Sequence, residues 1–225
     1  MKGIRNGYGF MVGLLLGMAV AGVPSLAQTR AGNGGAEPLR INIWVYNYAQ
    51  ASEQTLKAGD KIAAHIFHQA GVEVASWNCH PAPANVNPDP NCAPQSGPLN
   101  LWVRIVPDLA VVPGVTDHES LGLAFGDYAS VSFRWVKEEA AMAGVAPSEI
   151  LGRAIAHELG HLLLRQPGHS RVGIMRARWS TKDFDRSPLG SLSFTPEQAE
   201  SIRAEVQARA QEQAALGIAS ADGSH

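Results

Sequence analysis

The sequence is short of several things. It has 225 residues and two cysteines, and only 17% of its residues are charged and 7% aromatic. With no second Cys/His pair at zinc-site spacing, Cys79 and His80 are poor candidates for a thiolate metal site. Eighteen basic residues face twenty acidic ones, so there is no basic excess. Without a basic patch to neutralise phosphates, neither nucleic acid nor an anionic membrane is an expected partner. The apolar run Phe10–Gly22 is too short for a comfortable membrane span. Internal repeats are absent, and only the two ends are poor enough in apolar residues to resist folding. What is left is one compact, ordinary domain.

The N-terminus reads as a processing signal. Lys2 and Arg5 precede the apolar run, Pro24 breaks it, and Ser25-Leu26-Ala27 sets small residues at a cleavage site. Residues 1–27 are therefore expected to be a secretory signal peptide, with an uncleaved N-terminal anchor as the alternative. Its removal would leave no stable membrane span and a secreted, periplasmic or extracellular protein. Losing Lys2 and Arg5 takes the basic count from 18 to 16 against 20 acidic residues, a net charge of −4. Cys79 and Cys92 flank a loop rich in Pro and Asn. An oxidising compartment predicts a disulfide between them.

Residues 28–38 are Gly-rich and polar, a flexible leader. Residues 39–49 alternate Ile41, Ile43 and Val45 with Asn42, Trp44 and Tyr46, which suits a strand. A helix is expected from Ser52 to Ala70, ended by Gly71. Strands follow at Val72–Trp77, Leu99–Val106, Leu121–Phe125 and Ala129–Phe133. Arg134–Met142 can be helical, and a helix over about 148–165 ends before Pro167-Gly168. Thr195, Pro196 and Gln198 form a capping box that opens a helix over about 196–215. Residues 217–225 read as a tail. The implied class is α/β (α+β), a mixed twisted sheet backed by two helices, with a small C-terminal subdomain ending in a helix.

His157-Glu158-Leu159-Gly160-His161 matches H-E-x-x-H. On a helix, residues four apart share a face, about 5–6 Å between β-carbons. Two imidazoles so placed can reach one zinc ion, while Glu158 stands beside it as a candidate general base. Ile155, Leu159 and Leu162–Leu164 give the helix a large apolar surface. Polar residues inside such a helix are costly without partners, and a metal with a water would supply them. A solvated His/Glu pair is the plainer alternative. A catalytic zinc needs a third protein ligand and an open position. His169 lies eight residues after His161, and the intervening RQPG can turn the chain back.

This stretch, HELGHLLLRQPGH followed by Ser170 and Gly173-Ile174-Met175, resembles the metzincin clan of zinc peptidases, matrixin-like members most closely. The resemblance covers residues 39–179 in element order and about 19 residues in motif. It implies a zincin fold, His157, His161 and His169 as ligands of one catalytic Zn2+, Glu158 as base, and Met175 in a tight turn (about 170–179) beneath the metal. The third His comes two residues later than in the family pattern. The pattern's helix-ending Gly falls at Leu164, leaving Gly168 as the available turn residue. In metzincins an edge strand pairs with extended substrate; by element order that strand is Leu121–Phe125. The cysteine-switch prosegment of matrixins is absent.

Other residues carry weaker signals. Glu197 or Glu200 could be a third ligand, as in another zincin branch, or simply an acidic first turn. His65 and His68 read as helix-surface residues. His118, in Thr116-Asp117-His118-Glu119, reads as a solvated loop residue that could also touch substrate or a second ion. Trp179 reads as a core aromatic packed under the site. The expected activity is hydrolysis of peptide or protein substrate by a zinc-activated water. The alternatives are a non-catalytic zinc-containing secreted binding protein and a zinc hydrolase acting on other amides or esters.

Overall fold

A computed structural model describes residues 38–80, 89–93, 95–112, 120–164, 168–184 and 192–217, all within one compact unit. The signal and leader expected at 1–38, apart from Pro38, most of the cystine loop, His118 and the tail expected at 217–225, apart from Gly217, lie outside the described residues. The elements run β1 (Arg40–Asn47), α1 (Glu53–Gln69), β2 (Glu73–Cys79), β3 (Asn100–Val106), β4 (Gly122–Phe125), β5 (Tyr128–Ser132), α2 (Phe133–Ala143), α3 (Pro147–Leu164) and α4 (Pro196–Ala215). Among the described residues, no helix is long and apolar enough to cross a membrane.

Five strands form one mixed sheet in the order β2-β1-β3-β5-β4. β1 pairs parallel with β2 and β3, β3 pairs parallel with β5, and β4 runs antiparallel along β5 at the edge. The period-2 pattern decides the faces. Ile41, Ile43 and Val45, with Leu101, Val103, Ile105, Ala129 and Val131, join the core. α1 contributes Leu56, Ala63, Ile66 and Phe67 to that core, and α3 contributes Ile150, Leu151, Ala154, Ile155 and Leu159.

The other face of β1 carries Asn42, Trp44 and Tyr46, and Trp44 is only 1% exposed. The reason is a row of aromatics in cross-strand register, Trp77–Trp44–Trp102–Tyr128. Their ring centroids lie 4.9, 6.4 and 5.1 Å apart, with the rings stacked face on face. The chain around Cys92 covers the row. Trp44 Nε1 donates to the Asn91 carbonyl at 2.9 Å, and Tyr46 Oη to the Cys92 carbonyl at 2.8 Å. The Cys79–Cys92 disulfide is present, with α-carbons 5.6 Å apart. β2 thus runs two residues past Trp77, because Tyr46 of β1 still pairs with Cys79.

Caps set the helix ends. Ser52 accepts from the Thr55 amide, and Thr195 and Gln198 form the reciprocal capping box. α2 stops at Gly144, which adopts φ +69°. α3 is buried continuously from Ile150 to Gly160. It can lie this deep because it crosses α1 at two glycines. A β-carbon at Gly152 would sit 2.4 Å from the Gly59 carbonyl oxygen.

Candidate metal centre

α3 carries His157, Glu158 and His161 on its second half, and the chain returns after it to bring in His169. Gly168 takes φ +117° just before His169, a conformation a β-carbon would strain. One ring nitrogen from each of His157, His161 and His169 lies within 4.8 Å of the others. The ring centroids are 4.7, 5.3 and 5.0 Å apart for the pairs 157–161, 157–169 and 161–169. Glu197 and Glu200 are exposed on α4 and stand outside this group. His68 is also exposed, on α1, 3.7 Å from Glu73.

The turn beneath the site is built from main chain. The Ser170 amide donates to the Met175 carbonyl at 2.7 Å, and the Ile174 amide to the Ser193 carbonyl at 2.9 Å. Gly173, at φ +73°, packs so closely that a β-carbon would meet the Ser193 oxygen at 2.6 Å. Met175 is 1% exposed, and its Sδ would be 2.6 Å from a β-carbon on Gly160. The glycine inside the H-E-x-x-H stretch therefore admits the methionine against the helix.

His157 Nδ1 is 2.8 Å from the Ile174 carbonyl oxygen. A carbonyl can only accept, so Nδ1 carries the proton and Nε2 keeps its lone pair. His157 Nε2 lies 3.1 Å from His161 Nε2. Burial drives the His157 imidazole down to about 4, helped by the charges of His161 and His169 and opposed by the bond to Ile174. Burial, then the charge of His169, also lowers His161. Both rings are thus held neutral near pH 7, the form that ligates metals. Burial alone pushes the Glu158 carboxyl up to about 8.

Three further contacts were not apparent from the sequence. Trp179, taken there for a core aromatic, also donates from Nε1 to the Ile174 carbonyl at 3.1 Å, the oxygen His157 uses. Its ring stands 5.8 Å from the His157 ring. Gly122 of β4 packs against the Glu158 side chain. Arg209 of α4, 6% exposed, donates to the Leu162 carbonyl at 3.0 Å, capping α3 one residue past His161.

No family model matches the sequence, and no curated protein matches it. Solved structures do. Archaemetzincin from Methanopyrus kandleri is similar at 16% identity and a TM-score of 0.48, over 76% of this chain and 98% of that one. A zinc-dependent peptidase from Methanocorpusculum labreanum is similar at 15% identity and a TM-score of 0.47, over 71% of this chain and 99% of that one.

Proposed function

We propose that this chain is a zinc-dependent peptidase, secreted by way of residues 1–27, with a metzincin-like site. The observation that carries the reading is the convergence of His157, His161 and His169, whose ligand nitrogens lie within 4.8 Å of one another. The donor set fits zinc. Three imidazoles suit a borderline-soft cation, and three protein ligands are the number of a catalytic rather than a closed structural site. Among the described residues, no fourth His, Cys, Asp or Glu joins the group. When bound there, zinc would supply Lewis acidity, acidifying a water and polarising a carbonyl.

The chain's own residues do the rest. Ile174 fixes the His157 tautomer through Nδ1 and so orients its ligating nitrogen. Glu158, next to His157 and not a member of the ligand group, takes the proton of the attacking water and returns it to the leaving amine. β4, the edge strand of the sheet among the described residues, offers main-chain hydrogen bonds to an extended peptide, in the manner of an added strand. Digestion of a broad peptide library by zinc-loaded protein, chelated protein and Glu158→Gln tests this reading. Cleavage is expected from the first alone. Zinc binding without any cleavage would favour the non-catalytic binding protein.

A further inference from the structure

We infer that Gly122 is a positioning residue for Glu158: the missing β-carbon on the edge strand makes the space in which the Glu158 carboxyl sits. The inference rests on the proposed role of Glu158 as base. Gly122 opens β4, and a glycine in a strand often marks a close approach of another group. Here the approach is to a side chain. A β-carbon at position 122 would lie 2.6 Å from Glu158 Oε1, 2.7 Å from Cδ and 2.7 Å from Cγ. Non-bonded heavy atoms sit best at about 3.5–4.0 Å, so the whole outer half of the glutamate would have to leave.

Neither backbone can retreat instead. β4 is pinned to β5 by the pairing of Gly122 with Val131 and by the Ser132 amide donating to the Leu121 carbonyl at 2.9 Å, and Ser120 Oγ braces the start of β4 locally by donating to the Gly122 carbonyl at 3.0 Å. α3 is buried from Ile150 to Gly160 and holds its own position. The glutamate's side-chain torsions are the soft coordinates left. The same contact places the strand proposed to carry substrate and the base proposed to act on it in one frame. A methyl group at 122 would swing the base out of that frame while leaving the three imidazoles alone.

The test compares Gly122→Ala, Glu158→Ala and the double variant, each zinc-loaded, on a peptide the wild type cleaves. Gly122→Ala is expected to keep its zinc and hold KM within about twofold. Its kcat should fall about 10–100-fold, the scale of an ångström-sized misplacement. In the Glu158→Ala background the same alanine should change the residual rate less than about threefold, since nothing remains to displace. Equal losses in both backgrounds, or loss of zinc, would overturn the inference. A crystal structure of zinc-free Gly122→Ala gives a reading independent of hydrolysis. It should show Glu158 in a new rotamer with β4 in place, and an unmoved Glu158 overturns the inference. Should Gly122→Ala fail to fold, the double variant must fold, and failure of both counts against it. A wild type that binds zinc and cleaves nothing defeats the peptidase reading, and the rotamer still decides the role of Gly122.

Discussion

His157 on α3 and Ile174 in the methionine turn are seventeen residues apart in sequence and joined by a 2.8 Å bond from Nδ1 to the main-chain oxygen. The bond does two things at once. It fastens the turn to the helix, and it commits the His157 tautomer so that Nε2 faces the other imidazoles. A carbonyl partner on the non-ligating nitrogen is the usual device for orienting a metal-binding histidine. The turn is held on its other side by the Ile174 amide, which donates to the Ser193 carbonyl at 2.9 Å.

Zinc binding should follow this geometry. His157→Ala, His161→Ala and His169→Ala are each expected to lose tight zinc binding, while Glu200→Ala keeps it, because Glu200 is exposed on α4 and outside the ligand group. Metal content after dialysis against a weak chelator checks this. Retention by His169→Ala with loss by Glu200→Ala would move the third ligand to α4.

The sequence showed the helix bearing His157, Glu158 and His161 through its apolar flanks, and the capping box of α4 through Thr195 and Gln198, because both are local patterns. It also showed the alternation of β1. What it could not show was set by tertiary neighbours. Trp44 sits on the polar-looking face of β1 but is covered by the chain at Asn91 and Cys92. Trp179 was visible as an aromatic, but its bond to Ile174 depends on a turn that no pattern fixes. Gly122 and Gly152 look like weak points in a strand and a helix. Only the opposing element shows that each makes room for it. A glycine inside an otherwise regular strand or helix was the one available signal.

Gly152→Ala therefore tests packing against propensity. In an exposed helix the change stabilises by about 1 kcal/mol. Here the new carbon would lie 2.4 Å from the Gly59 carbonyl and 2.6 Å from the Ile62 β-carbon. Overpacking costs about 1–3 kcal/mol and more against backbone, so the net expectation is destabilisation by about 2 kcal/mol. Denaturant unfolding of the zinc-free variant measures it, and a gain in stability would show that α1 and α3 can separate freely.

The disulfide should matter to stability and not to the metal. Cys79 and Cys92 are 13 residues apart, and closing a loop of that size is worth about 3 kcal/mol in the entropy model. Replacing both cysteines with serine should lower the melting temperature, and should raise solvent access to Trp44 by uncovering its side of the sheet. Zinc stoichiometry should stay at about one per chain. Loss of zinc in that variant would mean that the sheet's outer face supports the site.

The pH dependence of the zinc-free protein has a defined sign. Glu158 is raised to about 8, so between about 4.5 and 8 the folded state holds a proton that the unfolded state does not. That stabilisation is complete at low pH and is lost as pH rises toward 8. His157 is lowered to about 4, so its contribution is lost as pH falls from about 6.5 to 4. Glu158→Gln removes the first dependence only. Relative to wild type, the variant should gain stability from about pH 5 to pH 8, and the gain should level off above that. Parallel curves for the two proteins over that range would show that Glu158 is not buried.

The same carboxyl links metal binding to chemistry. At pH 7 Glu158 in the zinc-free protein is mostly protonated, since burial holds it at about 8. A dication a few ångströms away favours the carboxylate. Zinc binding to wild type should therefore release about one proton more than zinc binding to Glu158→Gln. Titration calorimetry in buffers of different ionisation enthalpy counts that proton directly, with no substrate needed. Glutamine keeps the size and hydrogen bonding of the side chain but cannot accept a proton near neutrality. The variant should thus keep its fold and its zinc while peptide hydrolysis falls by at least about 100-fold. A Glu158 that ligates zinc predicts metal loss instead, and a bystander predicts neither the missing proton nor the slower turnover. Proton count, metal content and rate together separate the three roles in a single substitution.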